Sequence, residues 1–264
     1  MIFVGDIYDF IDGMAPFHTA MDFDNPGLLV GGRNMSVQSA LLSLDITPAV
    51  VREAKEVQAD LIISHHPVIF RPLKRIDTDT APYLLAKYDI AAICAHTNLD
   101  MAAEGVNTCL AKRLGLKNIH MLKEYGNTGL PEGLVGETER EYSPRAFAEF
   151  VRDALGCDGL RYTDGGRAVS KVGLCSGGGA DLVYDAAEYG CQAFVTGESK
   201  HNILLDAENM RVTMVDAGHF YTEDVVIEPL MEKLQKQFPQ VRFAKSKRMH
   251  SPAKTIGCTR TGGI

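Results

Sequence analysis

No stretch of about 18 uninterrupted apolar residues occurs in the 264-residue chain, so a membrane-spanning helix is not expected. Basic residues are missing from Met1 to Asp12, which carries acids at Asp6, Asp9 and Asp12 instead. A secretory leader is therefore not expected, and the cytoplasm is the expected location. The six cysteines, Cys94, Cys109, Cys157, Cys175, Cys191 and Cys258, are scattered without a CxxC pair. They read as reduced core thiols rather than as a disulfide framework or a thiolate zinc site. Positive charge is in short supply, with 27 Lys and Arg against 34 Asp and Glu and a net charge of −7. That balance argues against a phosphate-neutralising surface and hence against nucleic-acid or membrane partners. The one basic stretch, Lys245 to Arg248, reads as a solvated loop. Neither GxxxxGK[S/T] nor GxGxxG is present, and Gly177-Gly178-Gly179 reads as a plain tight turn rather than a phosphate cradle.

What is present is an apolar content of 45%, enough for an ordinary globular core in one large or two modest domains. A strand–helix–strand pattern ending in metal-capable residues occurs twice. In the first copy, Leu41 to Ile46 is a strand, Thr47-Pro48 a helix cap, Ala49 to Gln58 a helix and Leu61 to Ile63 a buried strand. In the second, Val172 to Cys175 is the strand, Asp181 to Tyr189 the helix closed by Gly190, and Ala193 to Val195 the buried strand. One offset of 132 residues aligns these segments. Further on, Ala92 to Cys94 leads to His96 and Asp100, and Val212 to Val215 leads to His219 and Glu223, at an offset of 123. Alternating strands and helices indicate an α/β fold of two similar halves with mixed sheets, residues 1–125 and 126–264, with the metal site expected between them. Lys123 to Arg140, rich in Gly, Glu and Thr, reads as a connecting region, and Thr255 to Ile264 as a loosely held tail.

Ser64-His65-His66-Pro67 puts two imidazoles at the end of a buried strand. Adjacent side chains on an extended chain diverge, which suits two ligands serving two metals. His219 and Glu223, spaced i and i+4, would share one helix face and reach one ion. Asp100 is placed for ligation or for capping the helix that follows it. Donors that are His and carboxylate without thiolate suit two divalent ions per chain, from Zn, Fe, Mn, Co or Ni. His201 has either a supporting or substrate-facing role beside Glu198 or a helix-capping one, and Asp24-Asn25-Pro26-Gly27-Leu28 reads locally as a turn.

Taken together, Asp24 to Leu28 with Gly31, Ser43 to Thr47, Ser64 to Pro67, His96 to Asp100, Thr196-Gly197-Glu198 and Gly218-His219 with Glu223 give the chain a resemblance over nearly its full length. It resembles the GTP cyclohydrolase I type 2 homologue family, the YbgI-like dinuclear-metal proteins. That resemblance implies that His66 and Asp100 hold one metal, His65 and His219 the other, with Glu223 bridging and His96 lining the cavity. It also implies a toroidal homohexamer built from trimers, in the compact form, because Gly115 to Ser170 is too short for an inserted domain. The expected function is a metal-dependent hydrolase of a small substrate, a nucleotide or phosphoester among the classes, with His96 or Glu198 handling protons. The alternative is a metal carrier or assembly protein without turnover.

Overall fold

The computed structural model describes residues 1–256; Cys258 and the tail from residue 257 onward lie outside the described residues. Contacts within the chain divide it into two compact units. The first holds Met1–Leu110, Glu124–Glu132 and Glu223–His250, and the second holds Ala111–Lys123, Gly133–Thr222 and the described residues from Ser251 onward. A single cut at residue 125 therefore does not describe the chain, which returns to the first unit at Glu223.

The sheet of the first unit runs in the order β13 (Arg242–Lys245), β4 (Ser39–Ser43), β5 (Leu61–Ser64), β6 (Ala91–Cys94), β2 (Gly27–Val30). Its first four strands are parallel, and β2 closes the edge antiparallel to β6. A separate antiparallel pair joins β1 (Ile2–Phe3) to β3 (Ser36–Val37). Every residue of β4, β5 and β6 is buried, the pattern of parallel strands covered on both faces. The period of two sorts their side chains. Leu42, Leu61, Ile63 and Ile93 pack with α1 (Val4–Met14) and α10 (Ile227–Gln237). Leu41, Ile62 and Ala92 face the other way, onto α2 (Pro48–Glu56) and α3 (Ala81–Tyr88). Thr47 caps α2 by accepting from Val50 N at 3.3 Å, with Pro48 at the first helical position. Two short helices, α4 (Thr97–Met101) and α5 (Val106–Arg113), follow β6.

In the second unit the sheet order is β7 (Lys117–Glu124), β8 (Pro131–Tyr142), β10 (Val169–Leu174), β11 (Ala193–Thr196), β12 (Thr213–Asp216), β9 (Arg161–Tyr162). β10, β11 and β12 are parallel, and β8 and β9 flank them antiparallel. Phe194 and Met214 form a core with Val183 and Ala186 of α7 (Val183–Glu188) and with Ile203 and Ala207 of α8 (His201–Asn209). The helix α6 (Pro144–Leu155) starts on Ser143, whose hydroxyl accepts from Ala146 N, and stops at Gly156 in the left-handed region. Lys123 to Arg140, expected as a connection, is instead mostly strand, because the buried Leu134, Val135 and Gly136 of β8 pair with β10.

The duplication is real and its register differs in one place. Parallel pairing matches Leu42 with Ile63 and Leu174 with Val195, so the first two strands of each copy align at an offset of 132. Ile63 pairs with Ile93 and Val195 with Val215, which sets the third strand at 122. By that register Gly218, not His219, stands where His96 does. The extra length of the first copy lies in residues 65–80, a stretch without helix or strand between β5 and α3. Cys94, Cys109, Cys157 and Cys191 are buried and Cys175 is half-buried. Among the described residues no helix is long and apolar enough to cross a membrane.

Candidate metal centre

β5 is the central strand of its sheet, and the chain leaves it at His65 and His66. Two side-chain hydrogen bonds fix this exit: Ser64 Oγ donates to the His66 carbonyl at 2.8 Å, and the Cys94 thiol donates to the His65 carbonyl at 2.9 Å. Burial keeps that thiol protonated by pushing its pKa well above the ordinary value. The two imidazoles then lean to opposite neighbours. His65 Nδ1 donates to the carbonyl of Ala95, which follows β6, at 2.9 Å. His66 Nδ1 pairs at 2.7 Å with Asp45 Oδ1, which follows β4. The expected divergence is thus confined to the Nδ1 edges; the ring centroids lie 5.0 Å apart.

His96 completes the triplet, with a ring centroid 5.1 Å from that of His65 and 5.5 Å from that of His66. Its Nδ1 meets Asp24 Oδ1 at 2.7 Å, while Asp24 Oδ2 accepts from Thr97 N at 3.0 Å and Thr97 Oγ1 at 2.6 Å. One potential ligand nitrogen from each of His65, His66 and His96 lies within 4.8 Å of the other two. Each of the three rings therefore has its Nδ1 edge held by an oxygen acceptor, the arrangement that orients metal-ligating histidines and fixes their tautomer.

Two carboxylates enter the same cluster. Glu223 Oε2 lies 2.8 Å from His66 Nε2, and one atom each of His65, Asp100 and Glu223 falls within 4.8 Å of the others. His65 Nε2 is 3.5 Å from Asp100 Oδ1 and 3.8 Å from Glu223 Oε2, too far for a hydrogen bond. That fully buried nitrogen has no hydrogen-bond partner among the described residues. Asp100 is a residue of α4 rather than the cap of a following helix. The turn at 96–98, tied to Asp24 and by Asn98 Nδ2 to the Ala15 carbonyl at 2.6 Å, starts the helix earlier.

The electrostatics favour an added cation. Burial opposes charge on His66, but its bonds to Asp45 and Glu223 outweigh this and push it up to about 10. Burial likewise opposes charge on His65, and the nearby charges of Asp100 and Glu223 raise it nonetheless. Asp100 is raised by burial and by Glu223. The shifts on Asp100, His65 and His66 all run toward the protonated forms, so binding a divalent cation there would compete with protons. Asp24 is the opposite case. Burial would raise it, yet the hydrogen bonds from His96 and Thr97 hold it down at about 2. Three imidazoles, two carboxylates, no thiolate and one orphaned buried nitrogen make a donor set that could hold a metal ion of the N/O-preferring divalent class.

The remaining predicted residues fall in or at the edge of the second unit. His219 opens the helix α9 (His219–Glu223) that Glu223 closes, so the expected i, i+4 helical relation holds within that element. Its Nδ1 lies 3.4 Å from Glu198 Oε1, and Glu198 itself is exposed. His201 is the exposed first residue of α8. The Gly177–Gly179 turn is a packing device: Gly177 has φ of +56°, and a Cβ on Gly179 would stand 2.3 Å from Cys175 Sγ.

Asp24 and Asp45 are the functional groups that local sequence reasoning missed. Asp24 read as part of an Asn-Pro-Gly turn, and Asp45 as a residue of the Leu41 to Ile46 strand; their partners are distant in sequence, at His96 and His66. The available signal was that both fall inside segments carrying the family resemblance.

Comparison with known proteins identifies the family. The family model for Duf34/NIF3 (NGG1p interacting factor 3) matches residues 2–252. A Clostridium perfringens protein named GTP cyclohydrolase 1 type 2 homolog is 34% identical over 260 residues, covering 96% of this chain and 99% of the relative. Its Clostridium acetobutylicum namesake is 31% identical over 243 residues, covering 88% and 89%. The crystal structure of Staphylococcus aureus protein SA1388 superposes with a TM-score of 0.89 at 27% identity, covering 97% of this chain and 99% of that one. The chain therefore belongs to the Duf34/NIF3 family.

Proposed function

We propose that this protein is a dinuclear metal-dependent hydrolase of a small nucleotide or phosphoester substrate. The observation that supports it most is the cluster in which His65, His66 and His96 are each anchored at Nδ1 beside Asp100 and Glu223. His65, His66, Asp100 and Glu223 are the residues that would hold two divalent ions. When bound, such ions supply Lewis acidity toward water and toward a phosphoryl or acyl oxygen.

The chain's own groups then divide the remaining work. Asp24 fixes the His96 ring, so the opposite nitrogen is the atom that takes and returns a proton. Glu198 acts as a positioning residue by receiving the Nδ1 edge of His219. Burial of His65 and Glu223 keeps bulk water from competing at those atoms. The names borne by the curated relatives are consistent with a nucleotide among the substrates.

The test is an assay of metal-loaded protein against nucleotides, phosphoesters and amides. Turnover is expected, and His96→Ala should lower it by about a hundredfold or more. No turnover across the panel with the metal in place, together with rapid release of that metal to a chelator, would replace this reading with a metal carrier.

A further inference from the structure

Residues 65–80 form the longest stretch without helix or strand in the first unit, and they begin at the two ligand histidines. Loops of this length inside compact units usually carry function. Its first part is anchored, because Asn25 Nδ2 donates to the Ile69 carbonyl at 2.5 Å. That bond links the loop to the Asp24-Asn25 turn, the turn that also holds His96. Two aromatic rings stand exposed at this junction. Phe70 is 42% exposed and Phe23 63%, with ring centroids 6.3 Å apart and planes at 61°. Phe70 is also edge-on to His96, at 6.2 Å and 89°.

Exposed phenyl rings are costly to leave in water, and here the two lie next to the cluster rather than scattered. The charge reverses locally as well. In a chain of net −7, the residues after Phe70 include Arg71, Lys74 and Arg75, followed by Asp77. Arg75 is paired with Asp77 at 2.9 Å, whereas Arg71 and Lys74 have no ion pair among the described residues. The geometry points to a substrate subsite: Phe70 and Phe23 receive a planar ring beside His96, and Arg71 with Lys74 receive an anionic group, phosphate in character, on the same ligand. This deepens the hydrolase reading and rests on it for the position of the reacting bond. Stacking selects for a ring without reading its edges, and the cations select for the charge.

Binding can be measured without turnover, by equilibrium dialysis on the full chain with the metal content of the same sample determined. The probes are adenosine 5′-monophosphate, phenyl phosphate, ribose 5-phosphate and adenosine. The first two should bind, and the ringless phosphate and the uncharged nucleoside should each bind about tenfold more weakly. A nucleotide preferred over phenyl phosphate assigns the ring to a nucleobase; equal affinity assigns it to any aryl phosphate. Phe70→Ala and Phe23→Ala, both at exposed positions, should each weaken the ring-bearing probes by about tenfold and leave ribose 5-phosphate unchanged. Phe70→Trp should retain binding, and since the chain has no Trp, quenching of that single indole by the ring probes reports the stack directly. Equal binding of ringed and ringless phosphates would overturn the subsite. So would alanine variants that change oligomeric mass but not affinity, which would assign the patch to a second copy of the chain. Ring binding with no turnover of any phosphoester by the metal-loaded protein would leave the subsite standing and defeat the hydrolase reading alone.

Discussion

Asp24 and Asp45 never touch one another in sequence or role, yet each fixes a histidine from behind, at 2.7 Å in both cases. Outer carboxylates of this kind are worth about 10- to 100-fold in metal affinity. Asp45→Asn is therefore expected to weaken metal binding by about that factor in a competition titration with a chelator, while the fold is retained. Asp24 has a second consequence. Its folded value, about 2, lies below the unfolded value of about 4. A depressed acid contributes stability that is present above the unfolded value and is lost as pH falls through the folded one. Metal-free protein should therefore lose about 2 kcal/mol between about pH 4 and pH 2 through this group. The Asp24→Asn variant should lack that part of the acid limb in urea denaturation at stepped pH. The candidate ligands themselves were legible because they follow apolar strands in a repeated pattern. Their supporting acids were not, because a turn aspartate and a strand-end aspartate look alike whether or not a histidine about 72 or 21 residues away in the chain folds against them.

At the scale of elements, most strands and caps lie where alternation and capping place them, and the departures have local causes. The third strands of the two copies align at 122 rather than 123, since pairing register and not ligand identity sets the equivalence. His96 and His219 therefore reach their places from different backbone positions. Lys245 to Arg248, expected as a solvated loop, begins in β13 and continues into a turn gathered by the buried Glu53. Glu53 accepts from Ser246 Oγ, from Lys247 N at 2.8 Å and from Arg248 N at 3.2 Å. Composition alone could not show this, because the carboxylate lies almost two hundred residues earlier. Glu53→Ala is expected to destabilise the protein by about 2 kcal/mol, the scale of charged hydrogen bonds left unmade, with the change read from denaturant midpoints. In the second unit, Gly179→Ala would place a methyl 2.3 Å from Cys175 Sγ. A loss of about 1–3 kcal/mol is expected from such overpacking, measured the same way.

For the whole molecule, the sequence indicated two related α/β halves, and the structure has two mixed sheets with a shared core topology. A linear reading could not show the return of Glu223–His250 to the first unit, because that depends on long-range packing of α10 against β4 and α1. The toroidal homohexamer implied by the family resemblance is a property of assembly. Light scattering on the purified chain should give six times the chain mass, and a concentration-independent monomer would contradict that state. The central claim, that the cluster of histidines and acids binds two divalent ions, is tested most directly by elemental analysis of protein purified without chelator or added metal. Two ions per wild-type chain, with clear loss in Glu223→Ala, is the predicted result. No bound metal in wild-type protein, before or after incubation with Zn, Mn, Fe(II), Co or Ni, would contradict the account.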